Sequence, residues 1–239
     1  MIIDNYPDMK SLWYGVTLRM MREPKLWDAL KAPRVFSFTN VLTADTHQLD
    51  GDLSWVGFTK ARWTRFLNRY VDHENLAAWI ERVKVADGLT SYLWKTRTAE
   101  GHTGGECMVG MSFRPSNNTL TVYSREVEFP TRGLLDAAFI NRVGEYLGRG
   151  DLKIVWMIGG LQLSMLHAIP FLVREGKLEE IKALDTKAGA YLRYMTNHLT
   201  NGHEIRYGPA KRMKKRWDSI DAGTVELVPI KDLMLGRKP

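Results

Sequence analysis

Three residues of this chain could share one piece of covalent chemistry: Cys107, Arg125 and Asp136. Cys107 is the only cysteine, set just ahead of the apolar stretch Met108-Val109-Gly110-Met111-Ser112-Phe113. Arg125 follows eighteen positions later, closing Thr121-Val122-Tyr123-Ser124-Arg125, and Asp136 lies eleven beyond it. A thiolate that adds to an electrophilic ring carbon splits one hard substitution into easier steps. It needs a cation nearby to lower its pKa, and Arg125 is the candidate. A carboxyl group accepts a hydrogen bond and, when protonated, also donates one, so Asp136 could read the edge of a base. Thiol, arginine and carboxylate together suit chemistry on a pyrimidine ring. Alone, Cys107 reads as a small buried hydrophobe and Asp136 as the outer face of an amphipathic helix. Their joint spacing favours the chemical reading.

These residues need elements to hold them. Residues 10–31 read as one or two helices, with Leu12, Trp13, Val16, Leu18 and Met21 as an apolar stripe and Pro24 starting a new turn. Residues 34–43 read as a strand. Residues 57–83 read as two helical pieces with caps at Asp72-His73-Glu74-Asn75. Strands are expected at 90–97, 107–114 and 119–127, the last two joined by the turn Pro115-Ser116-Asn117-Asn118. Residues 131–148 predict a helix ended by Gly148-Arg149-Gly150. A buried strand is expected at 152–162, helices at about 163–175 and 177–198, and a strand at Thr224–Val228. The pattern predicts one α+β domain over residues 1–239, with its core at about 10–175 and a C-terminal extension over 176–239.

The 239 residues suffice for a sizeable core. No apolar run is long enough to span a bilayer. The start Met-Ile-Ile-Asp-Asn-Tyr-Pro-Asp lacks the basic and apolar regions of a signal peptide, and one cysteine makes no internal disulfide. A cytoplasmic protein is the expectation. The net charge of +7 suits phosphorylated ligands or nucleic acid, and the run Lys211-Arg212-Met213-Lys214-Lys215-Arg216 supplies much of it. There is no phosphate-cradling Gly-x-x-x-x-Gly-Lys-Ser/Thr loop, and six histidines with one cysteine show no zinc spacing.

The order Cys107, Arg125, Glu128, Asp136, Trp156, Gly159, Leu161, Leu163, His167 resembles the thymidylate synthase superfamily, above all its phage deoxycytidylate hydroxymethylase branch. Phe36–Asp45 resembles that family's first strand. The resemblance covers roughly residues 10–175. It implies a mixed or antiparallel sheet covered by helices, and a homodimer packed sheet face to sheet face. It implies 5,10-methylenetetrahydrofolate as cofactor and a pyrimidine nucleotide as substrate. Cys107 would be the nucleophile, Arg125 would bind phosphate and tune the thiol, and Asn40, Gln162 and Ser164 would line the nucleotide site. Glu128 and Trp156 would face the folate.

Asp136 carries the choice of base. Uracil-using members have Asn there, which pairs with N3–H and O4. Cytosine presents an acceptor at N3 and a donor at N4, which a protonated carboxyl group matches. A mismatched base would leave buried polar groups unpaired. The resemblance therefore implies hydroxymethylation of dCMP or CMP, with C5 methylation by the same fold as the alternative.

The chain also departs from the family. Glu126 stands where Ser normally follows the phosphate arginine, and a carboxylate there repels phosphate. No Arg-Arg pair exists to reach a partner's site. The register of the family's catalytic glutamate falls near Phe66. Two readings from other classes stand beside the enzyme: a nucleic-acid-binding protein using residues 211–216 with Tyr207 and Trp217, and a silent subunit that pairs with an active relative.

Overall fold

The computed structural model describes residues 2–22, 26–27, 34–49, 60–93, 107–164, 168, 171–172, 175–184, 189 and 192–193. In chain order the elements are β1 (Ile2–Tyr6), α1 (Met9–Arg22), β2 (Leu26–Trp27), β3 (Arg34–Ala44), α2 (Lys60–Tyr70) and α3 (His73–Val85). Then come β4 (Thr90–Leu93), β5 (Met108–Arg114), β6 (Thr119–Phe129), α4 (Thr131–Leu147), β7 (Lys153–Ser164) and α5 (Leu178–Ala183). The fold class is α+β, as the sequence predicts.

Among the described residues, seven strands form one mixed sheet in the order β1-β3-β7-β6-β5-β4, with β2 paired to β3. β1 runs parallel to β3, and β6 parallel to β7; the other pairings are antiparallel. Short punctuation sets β5 and β6 against each other. Pro115–Asn117 forms a 3-10 turn and Asn118 adopts the left-handed conformation (φ 48°) that asparagine tolerates. Asp72 caps α3 by accepting from the Asn75 amide at 3.1 Å. Gly148 ends α4 with φ 59°.

Several expectations change. Residues 26–27 lie in a strand on β3, not in a helix. The sheet also begins at Ile2, eight residues before the expected core. The far boundary moves too: Ile181 and Leu192 are fully buried, and Glu180 of α5 pairs with Arg22 of α1 at 2.6 Å. Residues 163–164 continue β7 rather than opening a helix. The expected strand at Thr224–Val228, the basic 211–216 run, Tyr207, Trp217 and His167 lie outside the described residues.

The core lies between the sheet and α1, α3 and α4. Trp13, Trp79, Trp156, Phe113 and Phe129 are all buried there. The Trp13 indole donates to the Pro130 carbonyl at 2.7 Å, which ties α1 to the entry of α4. Phe66 packs on Phe139 of α4, so the position matching the family's glutamate serves the core.

The other sheet face carries no helix among the described residues. The register aligns Ile3, Val41, Met157, Tyr123, Gly110 and Leu93 in one row across six strands. Ile3 (63% exposed), Met157 (41%), Tyr123 (40%) and Leu93 (71%) make that row an open apolar band.

One transverse line interrupts the sheet. On β6, Leu120 and Val122 face the core before it, and Val127 and Phe129 after it. On β7, Ile154, Trp156 and Ile158 face the core before it, and Leu161 and Leu163 after it. The inward set has moved from even to odd positions on both strands. At the same level Thr39 of β3 has φ 52°, and the β5–β6 register shifts between Met108 and Gly110. An extra residue bends a strand and redirects its side chains.

Candidate functional site

Cys107 and Arg125 both lie on that line. The Arg125 amide donates to the Cys107 carbonyl at 2.6 Å, which pins the cysteine to β6 just before β5 begins. Gly159 lies beside them on β7, where a Cβ would stand 3.0 Å from the Arg125 carbonyl oxygen. A side chain there would push β7 off β6, so glycine permits the close approach.

α4 brings the carboxylate. The turn from β6 into α4 is short, and Gly133 lets the helix descend onto the strand: a Cβ would meet the Phe129 ring at 2.8 Å and Val127 at 3.0 Å. That contact sets the height of Asp136, one turn further along α4. Asp136 is buried at 9% exposure. Burial pushes its carboxyl up to about 7, opposed only by the positive charge of Arg132. Near neutral pH this carboxyl exists in both forms, so it can donate as well as accept.

Cys107 lies within electrostatic reach of the other two residues singled out in the sequence, Asp136 and Arg125. The thiol is partly buried, and burial pushes it up. The Asp136 charge pushes it further; Arg132 and then Arg125 pull it down, and Glu126 adds a lesser upward push. The thiol therefore favours its protonated form while Asp136 is ionised. Protonation of Asp136 removes the largest negative charge acting on it.

Two residues of the site carried no signal in the sequence. Arg132, at the start of α4, pairs through Nε with Glu128 Oε2 near the end of β6 at 3.3 Å. Arg62 of α2 lies within electrostatic reach of both: the Glu128 charge acts on it favourably and that of Arg132 unfavourably. A charged residue on a helix resembles any solvated one until the packing is known.

The remaining expected residues divide. Glu128 is buried at the site with Arg132 as partner. Gln162 is buried and donates from Nε2 to Glu126 Oε2 at 2.8 Å, so the carboxylate that departs from the family pattern is held by the neighbouring strand. Asn40 is buried on the helix-covered side, accepting from Arg19 Nη2 of α1 at 3.0 Å, and Arg19 also pairs with Asp4 at 3.0 Å. Its amide is committed to a structural cluster rather than turned to Cys107. Ser164 is placed by its backbone alone, as the last residue of β7, opposite Arg34 of β3. Trp156 is a correction. It is fully buried, donates to Ser124 Oγ at 2.9 Å and lies 6.2 Å from the Phe129 ring, so it has no surface to offer a cofactor.

The structure defines an α+β chain in which a thiol before β5, a carboxyl group on α4 and the arginines Arg125 and Arg132 lie within electrostatic reach of one another. No protein-family model and no curated protein matches the chain. Among solved structures it is similar to the thermostable thymidylate synthase A from Bacillus subtilis, at 10% identity and a TM-score of 0.42. That match covers 68% of this chain and 82% of the other. Among the described residues no helix is long and apolar enough to cross a membrane, and no cluster of three or more His, Cys, Asp and Glu could hold a metal.

Proposed function

We propose that this chain transfers a one-carbon unit to C5 of a cytosine nucleotide, dCMP or CMP, and releases the hydroxymethyl product. The observation that carries the reading is the meeting of Cys107 with an Asp136 carboxyl held near pH 7. The Cys107 thiolate adds to C6 of the ring. Asp136 accepts from the N4 amino group and, protonated, donates to N3, which draws electrons from the ring and makes C6 more electrophilic. C5 then becomes nucleophilic and bonds to the one-carbon unit. Loss of the C5 proton would release the carrier amine from the new carbon, water would add at that carbon, and departure of the thiolate from C6 would complete the exchange.

Methylenetetrahydrofolate would supply that unit at the oxidation level of formaldehyde. Glu128 fits a role at its pterin, as a carboxylate within the site; Trp156 does not. The open apolar band on the sheet supports a second copy of the chain packed sheet to sheet, because large exposed apolar patches mark interaction surfaces. Sedimentation at micromolar concentration should then give a dimer; a monomer would sink that part of the proposal.

The test of the chemistry is tritium release from C5-labelled dCMP, CMP and dUMP, with and without methylenetetrahydrofolate. Folate-dependent release from a cytosine nucleotide is expected. Cys107→Ala should reduce it by about a thousandfold or more, as loss of a covalent nucleophile does. A preference for dUMP would overturn the assignment of Asp136, and release that survives in Cys107→Ala would overturn the nucleophile. Product mass separates hydroxymethyl from methyl.

A further inference from the structure

We propose that His47 is a proton-operated latch: neutral, its imidazole fastens the segment after β3 to the entry of β7, and protonated, it lets go. The inference stands apart from the one-carbon chemistry. It begins with residues 45–49, which have no regular structure and are bonded to their neighbours throughout. The Asp45 amide donates to the Tyr6 carbonyl of β1 at 3.0 Å, and the Gln48 carbonyl accepts from the Met9 amide of α1 at 3.1 Å. The Leu49 amide donates to Asn141 Oδ1 of α4 at 3.1 Å. Asp151, in the connection from α4 to β7, accepts at Oδ1 from Thr46 at 3.0 Å and from Gln48 at 2.8 Å, on either side of the histidine.

His47 makes the tie that titrates nearest neutrality. The Leu152 amide donates to His47 Nδ1 at 3.2 Å, just before β7 begins at Lys153. A backbone amide can only donate, so Nδ1 carries no proton and the neutral ring holds its own on Nε2. Protonation must take place at Nδ1, where a second donor would face the first, and the bond cannot survive it. Both ends are enclosed, since His47 is buried and Leu152 fully so, which leaves little room for water to serve either group. α4 fixes the ring: a Cβ at Gly144 would collide with the imidazole at Cδ2 and Cγ, so glycine leaves His47 its place. The charged groups that face the imidazole are Asp151 from the connection and Glu145 from α4; both favour the imidazolium, and burial outweighs them. His47 therefore titrates below its ordinary 6.5. Its contribution to stability is present in full above pH 6.5 and is lost as pH falls from there through the folded midpoint, where the bond itself opens.

Hydrogen exchange of the Leu152 amide in the full chain, followed by NMR and corrected for the intrinsic pH dependence of exchange, tests the latch. Between about pH 7.5 and 4 its protection should fall by about five- to tenfold or more. The fall should follow the titration of the His47 ring nitrogens, with a midpoint below 6.5. His47→Asn offers an acceptor that does not titrate, and there the fall should be absent. Should that variant fail to fold, the wild-type ring still decides, because its nitrogen shifts must show a neutral form protonated on Nε2. A neutral form with its proton on Nδ1, a midpoint at or above 6.5, Leu152 protection that does not follow the ring, or an equal fall in His47→Asn would overturn the proposal.

Discussion

Asp136→Asn will make the folded chain more stable at pH 8 by about 2–4 kcal/mol, the released burial cost less the cost of a poorly paired amide. Burial raises the folded carboxyl from 3.8 to about 7. Between those values the folded state holds a proton that the unfolded chain has lost, so stability falls as pH rises. The contribution of this group is complete below pH 3.8, is lost through about pH 7 and stays flat above. The amide does not titrate, so urea midpoints of wild type and variant should converge near pH 4 and separate by pH 8. Equal midpoints at pH 8 would refute the burial argument. The same variant should turn preference from cytosine to uracil nucleotides, since an amide can serve N3–H and O4 together. The stability result stands whatever the ligand proves to be.

Trp156→Ala should cost about 3–5 kcal/mol, the usual toll of emptying a large aromatic from a core. Trp156→Phe should cost about 1–3 kcal/mol, because the Ser124 hydroxyl loses its indole donor inside the protein. Thermal and urea unfolding would measure both. A cofactor-facing tryptophan behaves otherwise: its loss weakens binding and leaves stability nearly untouched. Near-native stability in Trp156→Phe, with folate dependence altered, would return the residue to the ligand.

The tryptophan also marks where sequence reading ends. Its alternation with Ile154 and Ile158 shows that it faces inward, but not whether inward means a core or a cleft. The same ambiguity hid the role of Asn40, whose Oδ1 accepts from Arg19 of α1. The β5–turn–β6–α4 run was legible because Pro115, Asn118 and Gly148 punctuate it and its apolar positions keep strict periods. β1 was not: five residues at the chain start carry neither a turn signal nor an unbroken alternation. Cys107, Arg125 and Asp136 were found through spacing. Arg132 and Arg62 were not, because arginines recur on helices without a pattern and only packing tells which ones gather around a buried carboxylate.

The transverse line through Thr39, Gly159, Arg125 and the Met108–Gly110 step makes the sheet behave as two plates joined at a seam. A strand that lost one residue at the seam would carry half its side chains on the wrong face, out of phase with both neighbours. Length changes there can be accommodated only if adjacent strands change together. The cysteine sits on the seam itself. The strands are thus held to their lengths by one another, and the place least free to drift in length is the place that holds the thiol.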